Sequence, residues 1–142
     1  GDTLRVADGG VAVVRCVAEI VRGPSKQIAA LPSGLHITPC HPVRMDGRWQ
    51  LPKDLSDVCL SPCSEGCVYN VILDRYHILM VDDVECATWG HGLTGDVIGH
   101  PFFGTERVVD ALAALAGWGE GFVQVGGTWR DADASVIGFQ GV

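Results

Sequence analysis

The stretch Leu35–Arg44, "LHITPCHPVR", places a threonine, a cysteine, two histidines and two prolines within ten residues. A strand cannot run through Pro39, because proline has no N–H to give to a ladder. "GLHITP" therefore reads as a short strand stopped by a sharp bend, with Thr38 and His41 on either side of it. Their side chains can then converge on one point. An imidazole and a hydroxyl aimed at one spot can hydrogen-bond the two ends of a peptide group, or act as acid and base in acyl transfer. The same residues also read as plain turn chemistry, with Thr-Pro opening the turn and His41-Pro42 in solvent. On these residues alone both readings stand.

Outward from this bend the chain reads as short strands between turns. Nineteen glycines and seven prolines in 142 residues leave only brief aliphatic runs, which favours a β-rich fold over a helical bundle. "VAVVRCVAEIV" (Val11–Val21) is a β-branched strand behind a hairpin turn at Asp8–Gly10. "MDGRWQLP" is a turn and a short strand, and the polar, cysteine-bearing residues 53–66 are expected to be a loop. "CVYNVILD" and "HILMV", joined by "RY", are expected to pair antiparallel, with "DDVECATW" as a turn and a further strand. "GHGLTGDVIGHP" is too glycine-rich for regular structure. One helix is expected over about 105–117, with Thr105 as N-cap, Val108, Ala111, Leu112 and Leu115 on one face, and Gly117 as its stop. "FVQVGGTW" and "ASVIGF" are two late strands. With no internal repeat and no low-complexity linker, one domain over 1–142 is expected.

Charge and composition narrow the function. Hydrophobic content of 47 % with 19 % charged residues describes a folded chain. A formal charge of −7 with scattered Lys and Arg repels phosphate backbones, so no nucleic-acid partner is expected. No apolar run is long enough for a membrane span. The chain opens at "GDTLRVADGG" without Met or a signal-like segment, as an excised piece of something longer would. Its six cysteines leave the redox compartment open.

Cys59, Cys63 and Cys67 are spaced four apart, but Pro62 and Gly66 argue against a helix that would align them. Structural zinc on these thiols, with His36 or His77, is one alternative; free thiols or a disulfide in the loop is the other. His77 follows a strand, and His91 lies between two glycines, where a ring is easily presented. Each reads equally as a structural histidine, and Cys86 as a small buried hydrophobe. No G-x-S-x-G, P-loop, dinucleotide fingerprint or H-E-x-x-H occurs, so no cofactor is expected and the ordinary enzyme classes are unsupported.

Several stretches together resemble one family. "GLHITPCHPVRMDGRWQLPKDL", "CVYNVILDRYHILMVDDVECATWGHG" and "HPFFGTERVVDALAALAGW" come in the order found in Vint domains. These are members of the Hint (hedgehog/intein) superfamily that often accompany von Willebrand factor A domains. The resemblance implies a mainly β, horseshoe-shaped autoprocessing domain. In such domains an N-terminal cysteine attacks the carbonyl before it and converts a peptide bond into a thioester. Thr38 and His41 match the family's T-x-x-H motif, and His77 falls where a supporting histidine is often found. Cys86 and His91 belong to a segment similar to the family's C-x-T-x-G-H-G, with less defined roles. The substrate would be the domain's own upstream polypeptide, and the activity a single-turnover cleavage rather than an enzyme's turnover.

The chain also departs from the pattern. It begins at Gly1 rather than at the nucleophilic cysteine, and "GDTLRVADGGVAVVRCV" resembles the family's second conserved stretch, with Cys16 in mid-strand. A domain lacking its N-terminal segment, and silent as it stands, is therefore expected. Ala87-Thr88 stands near where an intein has its His-Asn pair, so full splicing has no candidate residue. The rivals to a self-processing domain are a non-catalytic Hint-like interaction module and a small zinc-stabilised β domain.

Overall fold

The computed structural model describes residues 1–22, 26–62 and 66–142. In chain order the strands are β1 (Thr3–Arg5), β2 (Val11–Val21), β3 (Gln27–Ala30), β4 (His36–Ile37), β5 (Val43–Met45), β6 (Arg48–Gln50), β7 (Cys59–Pro62), β8 (Cys67–Leu73), β9 (Ile78–Val81) and β10 (Val84–Ala87). Helix α1 (Glu106–Ala113) follows, then β11 (Phe122–Arg130) and β12 (Val136–Gly141). The mainly β expectation, with one short helix, is met.

β2 organises the largest sheet. It pairs antiparallel with β1 over Val11–Val13, antiparallel with β8 over Val14–Val21, and parallel with β11 over Val17–Ile20; β12 then pairs with β11. A bulge between Val14 and Cys16 sets two steps of β2 against one of β8. Such an irregularity re-aims the side chains that follow it. Ala12 and Val14 accordingly pack with Val6, Val71 and Leu73, whereas Cys16, Ala18 and Ile20 pack with Ile72 in the main core. α1 covers that core with Val108, Val109 and Leu112, beside Phe102, Val123 and Val125. Trp89, Phe102, Phe103 and Phe139 stack around it, with ring centroids 5.2–6.1 Å apart.

Two smaller sheets complete the structure, ordered β6-β5-β10-β9 and β4-β3-β7. The first is built from two hairpins whose turn residues lie in the left-handed region: Asp46 and Gly47 (φ 55° and 74°), and Asp82 and Asp83 (φ 47° and 63°). Consecutive positive φ values match the twist of paired strands, and Asp and Gly tolerate them.

Three expectations need correction. β8 does not pair with β9: its partner is β2, while β9 pairs with β10. The seven-residue β8 finds its match in the eleven-residue β2, and Tyr76 and His77, both at positive φ, turn the chain out of the large sheet. Residues 53–66 are not one loop. Pro52–Asp54 is a 3₁₀ turn, and Cys59–Pro62 pairs with β3 although every residue in it is exposed. A strand with no buried face has no apolar alternation to announce it. Finally, α1 ends at Ala113 rather than at Gly117. Leu115 N–H bonds back only as far as Leu112 O, which tightens the last turn, and Gly117 (φ 99°) instead opens the 3₁₀ turn Trp118–Glu120. No described helix is long and apolar enough to cross a membrane.

Candidate functional site

The Thr38–Pro42 segment is the crossing from the three-stranded to the four-stranded sheet. Pro39 ends β4, and the turn is closed by the His41 N–H donating to Thr38 O at 3.2 Å. Both prolines are tied from outside: Pro39 O accepts from the Lys53 N–H and Pro42 O from the Ala87 N–H, each at 3.1 Å. Held in this way, His41 Nε2 lies 2.5 Å from Ala87 O, at the end of β10. A carbonyl can only accept, so Nε2 carries the proton and Nδ1 of the neutral ring keeps a lone pair. An edge of His41 reaches solvent, yet the ring sits among protein atoms. That burial pushes its pKa below the ordinary histidine value, against the pull of the Ala87 carbonyl; the neighbouring His91 pushes it further down. His41 is neutral at pH 7.

The residue just after β10 reaches a second histidine. Thr88 is buried, and both its N–H (3.2 Å) and its Oγ1 (2.8 Å) donate to His77 O. Tyr76 and His77 occupy left-handed backbone, at φ 66° and 43°. For a residue as bulky as Tyr76 such geometry is strained. His77 Nδ1 is buried and has no hydrogen-bond partner among the described residues.

His91 comes from a third segment. Gly90 and Gly92, at φ 75° and 73°, bracket it, and their N–H groups donate to Phe103 O and Gly104 O at 2.8 Å each. The ring is buried, with Nδ1 accepting from the Leu93 N–H at 2.9 Å. Its pKa is pushed down by burial and by the nearby His77, with the Ile98 backbone opposing. Gly104 is required here, because a Cβ on it would stand 3.0 Å from His91 Cε1 and 2.9 Å from His100 O. His41, His91 and His77 are thus electrostatic neighbours, drawn from three loops around the end of β10.

The other residues singled out by sequence lie elsewhere or enter differently. Thr38 is half-buried and takes part through its carbonyl. Cys86 packs with Ala29, Leu31, Leu35, Ile37, Val43 and Val84. Burial, with Asp82 nearby, pushes its thiol up to about 12, so it stays protonated and behaves as a small hydrophobe. Cys59 is exposed on β7 and Cys67 half-buried at the start of β8, both free thiols, while Cys63 lies outside the described residues. Among the described residues no three His, Cys, Asp or Glu side chains are grouped to hold a metal. Ala87 and Thr88, which in the sequence only mark the place where an intein has its His-Asn pair, join His41 and His77 at the end of β10. Ala87 acts through its carbonyl, which no side-chain pattern reveals, and nothing in "CATWGHG" gives Thr88 a partner in His77.

The family model Vint, described as a Hint-domain, matches residues 1–138. No curated protein matches the chain.

Proposed function

This chain belongs to the Vint family of Hint domains, and from that premise we propose that it is the peptide-activating part of a self-processing domain. The observation that carries the reading is the pair of contacts at the end of β10, where His41 Nε2 meets Ala87 O and His77 O accepts from Thr88, with His41 held neutral. In the reaction a cysteine thiol placed N-terminal to Gly1 attacks the carbonyl carbon of the residue before it. The S–C bond forms, the C–N bond breaks, and the thiol proton ends on the released amine. His41 suits the proton transfer, since Ala87 fixes its ring by Nε2 and leaves Nδ1 to accept a proton and return it to the leaving nitrogen. Thr38 would assist at the same peptide, and His77 and His91 would set the field around it. Cys86, buried and protonated, supports the site as packing.

The substrate in this reading is the polypeptide upstream of the domain, and a von Willebrand factor A domain is the neighbour to look for in the parent. To test this, the cysteine-bearing upstream segment is restored behind a reporter protein, and cleavage by added thiol or hydroxylamine is followed by mass spectrometry. His41→Ala is expected to slow cleavage by about 100-fold or more. Cleavage at the parental rate removes His41 from the mechanism. A folded parent that never cleaves points to the non-catalytic interaction module.

A further inference from the structure

Two consecutive residues at the end of β10 fix two of the three histidines. Ala87 supplies the carbonyl on His41 Nε2, and Thr88, at 2 % exposure, sends both of its donors to His77 O. That acceptor belongs to the strained Tyr76–His77 turn, with φ 66° and 43°. Bulky residues remain in left-handed backbone only where their surroundings over-determine it. One backbone N–H is an ordinary restraint. The Thr88 hydroxyl adds a second at 2.8 Å, from a buried side chain that water does not compete for. A β-branched residue suits this task, because its χ1 is stiff and its hydroxyl stays aimed.

We propose that Thr88 is a positioning residue for His77: its paired donors clamp the His77 carbonyl, hold the Tyr76–His77 turn in its left-handed form, and so fix how the His77 ring is presented. What the aiming serves rests on the self-processing reading, but the clamp is a property of the 142-residue fold and can be tested without cleavage. Serine would keep the donor. Valine would keep the shape and leave His77 O with the backbone N–H alone.

The experiment follows the imidazole and amide resonances of the ¹⁵N-labelled chain. In Thr88→Val the His77 ring nitrogens are expected to shift and broaden, with the backbone amide at position 88 exchanging about tenfold faster. Thr88→Ser is expected to restore both. Tyr76→Gly, at an exposed position, keeps the clamp while loosening the turn, and should leave the His77 ring signals as in the parent; it also serves if Thr88→Val does not fold. Unchanged ring signals in Thr88→Val, failure of Thr88→Ser to restore them, or their displacement in Tyr76→Gly would each overturn the proposal. In the chain extended by its cysteine-bearing segment, Thr88→Val should slow cleavage by about 10- to 100-fold and Thr88→Ser should not. If the extended parent does not cleave, the processing reading fails, and the resonances still decide the clamp.

Discussion

β9 is bracketed by two turns that share a backbone and differ in chemistry. After it, Asp82 and Asp83 take φ 47° and 63°; before it, Tyr76 and His77 take 66° and 43°. The aspartates are exposed, and their short polar side chains tolerate left-handed backbone, so this turn simply closes the β9–β10 hairpin. Tyr76 gains no such ease, and His77 buries a nitrogen without a partner among the described residues. The hairpin is made by residues that suit it. The other turn is made in spite of its residues, by bonds arriving from Thr88. In the self-processing reading proposed above, this combination of left-handed backbone and a bare buried nitrogen is what assigns the turn to the site.

The largest effect expected on this comparison comes from proline, whose φ is fixed near −65°. Asp82→Pro should cost about 3 kcal/mol or more, read from the midpoint of denaturant unfolding. Tyr76→Pro should cost about as much, if the first turn is held as firmly as the second. A Tyr76→Pro protein that loses less than about 1 kcal/mol would show that turn to be free to relax, and the comparison would collapse.

His77→Asn sharpens the comparison by giving the strained turn a residue of the kind the hairpin already has. Asparagine tolerates positive φ, and the buried imidazole nitrogen is removed. The variant is expected to be more stable than the parent by about 1 kcal/mol in denaturant unfolding, while the cysteine-extended form cleaves more slowly. A loss of stability instead would mean that the His77 ring is a satisfied structural element.

The hairpin turns were legible in sequence and the strained turn was not, for a physical reason. "MDG" carries residues that prefer its backbone, and Val11–Val21 carries β-branched periodicity, so local chemistry and fold agree. Tyr76 and His77 prefer extended or right-handed backbone, so "RY" read as a simple link between paired strands, and the pairing of β8 with β2 was missed. β7 escaped notice because it is an edge strand beside β3 with every residue exposed, so no buried face alternates along it. In the site, His41, His77 and His91 were visible as residue types. What holds His41 and His77 there is a carbonyl on Ala87 and a hydroxyl on Thr88, and neither advertises itself in a motif.

Acid should act through the histidine loops. The pKa values of His41, His91 and His100 are all pushed below the ordinary value, burial being the largest cause in each. The unfolded chain therefore binds protons that the native state resists, and stability is lost as pH falls below about 6.5, toward the lowered native values. Unfolding midpoints measured from pH 7.5 to 5 should decline over this window. His41→Gln, which cannot titrate and keeps a donor for Ala87 O, should decline less steeply. Equal slopes would place the acid sensitivity outside His41.

The smallest effect is expected where residue and backbone already agree. Asp83→Gly replaces one tolerant residue by a more tolerant one at φ 63° on an exposed turn. Glycine relieves what strain remains but loses more entropy on folding, and the two terms oppose each other. The expected change is within about 0.5 kcal/mol, with the register Val84↔Val81 kept and cleavage of the extended chain unaffected. If Asp83→Gly instead moved stability as far as His77→Asn, strain would be shared by both turns, and its presence at Tyr76–His77 would no longer single out the site.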